Sequence, residues 1–253
     1  MKIIYCAYGR AGLECLYILL NKFPISTDDI FVFTHETKDN KIFIDHLTNL
    51  NIEYTFEPVN NEIKKIIKFN PDYLISIYYR FIISQTILKT VNYKAINAHP
   101  SILPKYRGTK SSVWAIINKE SETGITYHYI NDKIDDGKII IQKKINIDSN
   151  DTAFSLYHKL IGLFVENFEE AFSLVINNFD GFNQIGEVTY YKRELPFGGK
   201  RKISEISYKD AIFFTRAMFF PPFKGAIFID LNGKEIEINC VSDLKKIRKL
   251  FKS

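Results

Sequence analysis

The sequence predicts an α/β fold, in which a mostly parallel sheet carries helices on both faces and a small β-rich region follows it. Two observations lead to this prediction. Short apolar runs alternate with segments of helical spacing over the first hundred residues, which is typical of βαβ units. After about residue 183 the apolar runs are short, and an Asn-Gly pair separates the last two, which favours a hairpin.

The elements of the first part of the chain follow in regular order. Apolar, β-branched runs predict strands, and apolar positions that recur at three and four residues predict helices. The predicted strands are 2–7, 30–34, 52–56, 73–77 and 94–97, and the predicted helices are 13–21, 41–51, 60–69 and 84–89. Because crossovers between parallel strands are right-handed, this order predicts a doubly wound, Rossmann-like sheet.

The rhythm changes after residue 120. Two apolar runs, 124–130 and 138–147, predict strands joined by a polar loop. Asp151 or Thr152 can cap a long helix that runs to the region of Asn177, because its apolar side chains recur on one face. The elements predicted beyond it are strands at 187–191, 226–230 and 235–240 and a helix at 208–218.

Length and charge narrow the classes of function. A chain of 253 residues suits one large domain with a small appendage, and we place the domains at 1–183 and 184–253. The net charge of +5 comes from 34 basic and 29 acidic residues that are mixed along the chain. Such mild, unclustered charge argues against a nucleic-acid partner.

The cysteines and the apolar runs point to a reduced compartment. Cys6, Cys15 and Cys240 form no pair with metal-ligand spacing, so we expect reduced thiols and no metal. No apolar run reaches the roughly 18 residues of a membrane span. The apolar start, 1–8, lacks the charged region and cleavage site of a signal peptide. We therefore expect a cytoplasmic protein without a membrane partner.

The first strand-to-helix turn contains Gly9 and Gly12. A dinucleotide-binding turn needs a third glycine, so a nucleotide-dependent oxidoreductase is disfavoured. The helix N-terminus could still receive an anion, although a plain turn explains the same residues.

Polar side chains leave the end of the fifth predicted strand. Asn97 and His99 lie two residues apart, so in extended geometry they point to the same side. An amide and an imidazole at a strand end suit a reaction that develops an oxyanion and moves a proton. Hydrogen bonds to the following loop would explain them equally well. Asp135 lies in an Asp-Asp-Gly turn, a common local turn by itself.

These residues belong to a longer pattern. The stretch 97–108, Asn-Ala-His-Pro-Ser-Ile-Leu-Pro-Lys-Tyr-Arg-Gly, resembles the signature of formyltransferases that use 10-formyltetrahydrofolate. Asp135 lies 38 positions after Asn97, where that family has its catalytic aspartate. The stretches 76–83 and 122–128 resemble the branch of the family that formylates nucleotide-linked amino sugars.

The resemblance implies a reacting centre made of Asn97, His99 and Asp135. It also implies folate contacts from two loops, whose residues are Phe81, Ile82, Ile83, Asn131, Asp132, Lys133 and Ile134. Some relatives hold the folate with an arginine at the position of Thr109. An ionic grip on the folate tail is therefore not expected at this position.

The acceptor implied by the resemblance is dTDP-4-amino-4,6-dideoxyglucose, made for O-antigen or another surface polysaccharide. A UDP-linked amino sugar is the next candidate. Methionyl-tRNA is disfavoured, because relatives that use it carry a larger basic C-terminal domain. The alternative from another class is a sugar-nucleotide-binding module that has lost its chemistry, which is disfavoured because Asn97, His99 and Asp135 are all present.

The nucleotide contacts are the least specific part of the prediction. Arg10 and Arg193 could meet the diphosphate, and Phe223 could stack on the base. Equally, both arginines could be ordinary surface residues and Phe223 could belong to the core. The resemblance also implies a homodimer formed through the C-terminal domain, whose hairpin exposes strand edges.

Overall fold

A computed structural model describes residues 1–239 and 243–251. These residues form two compact units that are interleaved along the chain. The first unit comprises Met1–His99, Ile125–Lys143 and Ile161–Glu187, and the second comprises Pro100–Gly124, Lys144–Leu160 and Val188–Ser253. One junction, at Glu187, lies close to residue 183, while the second unit also takes in two segments from before it. The division into domains at 183 stays a prediction.

The first unit is built on a seven-stranded sheet. Its strands are β1 (Ile3–Ala7), β2 (Ile30–Phe33), β3 (Glu53–Thr55), β4 (Tyr73–Ile77), β5 (Ala95–His99), β7 (Glu122–Tyr129) and β8 (Ile139–Asn146). They lie across the sheet in the order β3-β2-β1-β4-β5-β7-β8. The pairs among β1 to β5 are all parallel, whereas β5 and β7 are antiparallel. The predicted fold class, α/β with a mostly parallel sheet, is confirmed.

Helices cover this sheet. They are α1 (Gly9–Lys22), α2 (Lys41–Asn49), α3 (Ile63–Phe69), α4 (Gln85–Thr90) and the long α6 (Ala153–Ile176), which begins in the second unit. Every residue of β1 and β4 is buried. Strands that are buried on both faces read as continuous apolar runs rather than alternating ones, which is why the sequence marks them clearly. Cys6 and Cys15 are free, buried thiols as predicted, while Cys240 lies outside the described residues.

The second unit is smaller in its elements. It contains β6 (Arg107–Gly108), α5 (Ser111–Ile117), β9 (Tyr190–Tyr191), β10 (Lys200–Lys202), α7 (Tyr208–Met218), β11 (Ala226–Ile229), β12 (Glu235–Ile238) and α8 (Leu244–Leu250). Strands β10, β11 and β12 form one sheet, and β6 pairs with β9. The predicted Asn-Gly hairpin joins β11 and β12, and its Gly233 takes a φ of 82°, a left-handed conformation that favours glycine. Among the described helices, none is long and apolar enough to cross a membrane.

Candidate functional site

The site is built on two neighbouring strands of the first unit. Asn97 and His99 lie two residues apart on β5, so their side chains share one face. Strand β7 runs antiparallel beside β5, and its His128 pairs directly with Asn97. A directly opposed pair in an antiparallel ladder brings the two side chains close together. The sheet register therefore adds a second imidazole to the predicted pair.

The amide of Asn97 is held in one orientation. The Ser76 hydroxyl donates to Asn97 Oδ1 at 2.8 Å, and Asn97 Nδ2 lies 3.2 Å from His128 Nε2. His128 Nδ1 lies 2.8 Å from the carbonyl oxygen of Tyr129. Because a carbonyl can only accept, Nδ1 carries a proton, and because an amide nitrogen can only donate, Nε2 accepts from Asn97. One N–H of Asn97 is thus fixed, which sets the direction of the other.

Asp135 lies close to both imidazoles. Its Oδ2 lies 3.3 Å from His99 Nδ1, and its Oδ1 lies 3.5 Å from His128 Nε2. His99, His128 and Asp135 are all largely shielded from solvent. The structure therefore brings Asn97, His99 and Asp135 into one connected cluster, with His128 at its centre.

The loop that carries Asp135 has a demanding backbone. Asp135 takes a φ of 51°, the left-handed region in which Asp and Asn are better tolerated than most residues. Gln184 Nε2 donates to the carbonyl oxygens of Asp135 and Gly137, at 2.8 and 2.9 Å. A Cβ on Gly137 would lie 1.7 Å from the carbonyl oxygen of Tyr129, so only glycine fits there. These constraints fix where the carboxylate points.

Sequence reasoning gave no role to His128, Ser76 or Gln184. His128 lay within a stretch used for the family resemblance, but its position opposite Asn97 depends on the antiparallel pairing of β5 with β7. The predicted strands 94–97 and 124–130 contain the necessary signal only if their direction and register are known. Gln184 acts from 49 residues away from Asp135, which no local pattern reveals.

The two predicted folate loops both lie in the first unit, after β4 and β7. Phe81 and Ile82 are 44% and 71% exposed, while Ile83 is buried. In the other loop Asp132, Lys133 and Ile134 are exposed and Asn131 is half-buried. Exposed apolar side chains are suited to the flat face of a ligand ring.

The three predicted nucleotide contacts are divided between the units. Arg10 belongs to the first unit, where its Nε lies 2.6 Å from Glu14 Oε1 on the helix surface. Arg193 and Phe223 belong to the second. Burial, and then the neighbouring Arg193 guanidinium, lower the pKa of Lys110. Phe223 is 73% exposed, so it is not a core residue.

Known proteins resemble this chain over most of its length. A family model described as formyl transferase matches residues 27–170. GDP-perosamine N-formyltransferase from Brucella melitensis is 38% identical over 238 residues, which cover 92% of this chain and 90% of that protein.

Solved structures show the same fold. A 4-N formyltransferase from Francisella tularensis superposes with a TM-score of 0.74 at 24% identity, over 94% of this chain and 97% of that chain. An N-formyltransferase from Helicobacter canadensis, in complex with folinic acid and dTDP-3-aminofucose, superposes with a TM-score of 0.70 at 23% identity, over 87% of this chain and 81% of that chain.

Proposed function

The chain belongs to the formyl transferase family, and from that premise we propose that it moves the formyl group of N10-formyltetrahydrofolate to the amine of a nucleotide-linked amino sugar. The observation that carries this proposal is the cluster of Asn97, His99 and Asp135 at adjacent strands of the first unit. An amide donor, an imidazole and a carboxylate at one place are the groups that acyl transfer to an amine requires.

The first step is attack of the neutral amine on the formyl carbon. A nitrogen–carbon bond forms, and negative charge develops on the former carbonyl oxygen. The second N–H of Asn97 Nδ2 donates to that oxygen, since Ser76 and His128 hold the amide in place. A donor that is already oriented stabilises the tetrahedral intermediate without reorganising during the reaction.

The second step is collapse of the intermediate. The bond from the formyl carbon to N10 of the folate breaks, the amine nitrogen loses a proton and N10 gains one. Asp135 holds Nδ1 of His99 and so fixes the tautomer and direction of the ring. His99 then presents Nε2 to the reacting groups, where it can give or take the proton.

The folate is held by the two loops of the first unit. Phe81, Ile82 and Ile83 contact the pteridine ring from one side, and the loop Asn131–Ile134 closes the other. The exposure of Phe81, Ile82 and Ile134 supports this assignment, because burying apolar side chains against a flat ring is favourable.

The acceptor is a nucleotide-linked 4-amino-4,6-dideoxyhexose. The family resemblance of the sequence favours dTDP-4-amino-4,6-dideoxyglucose. The Brucella relative is named for GDP-perosamine, so a GDP-linked amino sugar is the second candidate.

The diphosphate is held by Arg193 together with Lys110. The pairing of β6 with β9 sets Gly108 beside Tyr191, and the next residues along each chain lead to Lys110 and Arg193. The described residues place no carboxylate within ion-pair distance of either cation. Two adjacent cations repel each other, and an anion between them removes that repulsion. Arg10 in the first unit, for a phosphate, and Phe223 in the second, for the base, stay predicted nucleotide contacts.

The test uses a panel of acceptors. The protein is incubated with N10-formyltetrahydrofolate and dTDP-, GDP- or UDP-linked 4-amino sugars, and products are identified by mass spectrometry. We expect one nucleotide series to gain a single carbonyl unit at the sugar amine, and sugars with an acetylated amine to remain unchanged. The proposal is wrong if no amino sugar is formylated by a protein that binds folate, or if His99→Ala forms product as fast as the wild type.

The quaternary structure follows from the hairpin. We propose a homodimer in which β12, an edge strand of the three-stranded sheet, is covered by a second copy, because an uncovered edge invites pairing. Sedimentation velocity at micromolar protein should show a dimer, and a single monomeric species would exclude it.

A further inference from the structure

The loop between β4 and α4 has no regular secondary structure, yet it presents Phe81 and Ile82 to solvent. Apolar side chains on an unconstrained loop lose exposure by folding back onto the protein. Something must therefore hold the backbone of this loop, and two polar side chains from other segments do so.

Asn60 holds the far end of the loop. Its Nδ2 donates to the carbonyl oxygen of Ile82 at 2.7 Å, and its Oδ1 accepts from the backbone N–H of Ser84 at 3.0 Å. The amide thus bridges two backbone groups on either side of Ile83. Beside it, the backbone N–H of Val59 donates to the Tyr79 hydroxyl at 2.9 Å.

His35 holds the near end. Its Nε2 accepts from the backbone N–H of Arg80 at 3.1 Å, and its ring stacks on Tyr79 with the centroids 5.0 Å apart. The Phe81 ring centroid lies 5.2 Å from the His35 ring. His35 is buried, and its own carbonyl oxygen accepts from Asn40 Nδ2 at 2.7 Å. The imidazole is therefore an anchored acceptor rather than a mobile surface group.

We propose that Asn60 and His35 are positioning residues that hold the loop 80–84 in the shape that binds the pteridine ring. This inference rests on the proposed function, which assigns the folate to Phe81, Ile82 and Ile83. A loop that is already ordered does not have to be ordered on binding. Neither side chain takes part in the chemistry, so Asn60 and His35 act on folate affinity and not on the chemical step.

Asn60 offers a clean test, because it is exposed and has an exposed asparagine next to it as a control. Asn60→Ala removes both loop hydrogen bonds, whereas Asn61→Ala removes only a 3.4 Å contact with Glu57. Two lost hydrogen bonds should raise KM for N10-formyltetrahydrofolate about tenfold. The kcat at saturating folate and KM for the amino sugar should stay within about twofold of wild type, because uniform binding alone is lost.

His35 is tested by a pair of substitutions. In His35→Gln the side-chain carbonyl oxygen can take the place of Nε2 as the acceptor of the Arg80 N–H. His35→Leu has no acceptor there. We expect KM for the folate to rise in His35→Leu and to be restored in large part by His35→Gln. Thermal unfolding of all variants checks that they are folded, and Asn60→Ala decides the matter if His35→Leu is not.

A second readout separates this inference from the proposed function. Isothermal titration with 5-formyltetrahydrofolate, which does not transfer its formyl group, measures folate affinity directly and should show the same tenfold loss in Asn60→Ala as KM. If the wild type transfers formyl groups and Asn60→Ala binds this folate as tightly as wild type, the positioning role of Asn60 is refuted and the proposed function is retained. If the wild type transfers none, the proposed function itself has failed.

Discussion

Two shielded carboxylates, Asp135 in the first unit and Asp151 in the second, lie in very different surroundings. Asp135 faces two imidazoles, His99 and His128, at 3.3 and 3.5 Å. Asp151 accepts from the Ser155 hydroxyl, the backbone N–H of Asp148 and the ammonium of Lys159, each at 2.8 Å.

The partners determine what each carboxylate can do. Lysine keeps its charge at every physiological pH, so the surroundings of Asp151 stabilise only the ionised carboxylate in the folded chain. An imidazole has one nitrogen that can donate a proton and one that can accept it, so the surroundings of Asp135 support proton transfer. The backbone also differs between the two sites, since Asp135 takes a left-handed φ whereas Asp151 lies just before a long helix. Strain of this kind persists where the surrounding structure enforces it.

The largest expected effect is on catalysis at the first unit. Asn97→Ala and His99→Ala should each lower kcat by about 10²–10³, because each removes a group that acts in the transition state. Steady-state rates measured with the formyl folate and the accepted amino sugar test this. Unchanged circular dichroism would show that the fold is retained, and a kcat within about tenfold of wild type in either variant would contradict the role.

The next largest effect is on stability at the second unit. The buried Arg216 donates from Nε to the carbonyl oxygen of Asp151 at 2.6 Å and from Nη2 to that of Asp148 at 2.8 Å. Arg216→Met removes both of these hydrogen bonds, so that the Asp151 carbonyl loses its arginine partner and the Asp148 carbonyl keeps only the backbone N–H of Asp151 at 3.0 Å. It should lower the free energy of unfolding by about 2–4 kcal/mol. Urea unfolding gives the value.

The control for Arg216→Met is the kcat of the folded variant. At a temperature where the variant is fully folded, kcat should stay within about twofold of wild type. A large loss of kcat with no loss of stability would reverse the assignment of the two regions.

His128 should give an intermediate effect. His128→Ala removes the acceptor that orients the Asn97 amide, and loss of such a supporting group typically lowers activity about ten- to a hundredfold. His128→Gln, which can still accept from the amide, should recover part of the rate. Equal rates for the alanine and glutamine variants would show that orientation of Asn97 is not the reason.

The smallest expected effect is on the loss of stability at acidic pH. Burial raises the pKa of Asp151, but hydrogen bonds from Lys159, Asp148 and Ser155 outweigh it and lower the pKa below its usual value. A lowered pKa in the folded state adds stability above the ordinary carboxyl range, which is lost as pH falls through the lowered value. Urea unfolding between neutral pH and pH 2 should therefore show a shallower acid loss in Lys159→Met than in wild type. Equal slopes would show that Lys159 does not lower this pKa.

The same two regions show how far sequence reasoning reaches. Asn97 and His99 could be placed from the sequence, because alternation along a strand sets their common face. Asp135 could be placed only through the family resemblance, because its turn is closed by Gln184 from 49 residues away. His128 was missed because its position depends on strand register.

The contacts around Asp151 in the second unit were harder to predict from the sequence. The sequence predicted that Asp151 or Thr152 caps the long helix, but the contact of Arg216 with Asp151 joins residues 65 positions apart. Helix α5 was not predicted, since it is short and its N-cap, Lys110, makes no side-chain cap. Long-range polar contacts leave no periodic signal, and they make up most of what the sequence did not reveal.

The most direct test makes one chemical change in both regions. Asp135→Asn and Asp151→Asn each replace a shielded carboxylate by an amide of the same shape, and asparagine tolerates the left-handed φ at 135. We predict that Asp135→Asn loses at least about a hundredfold in kcat with little change in stability. Asp151→Asn should lose about 1–3 kcal/mol of unfolding free energy and keep its kcat. If Asp135→Asn remains fully active, or if both variants lose only stability, the cluster at Asp135 is not a reacting centre.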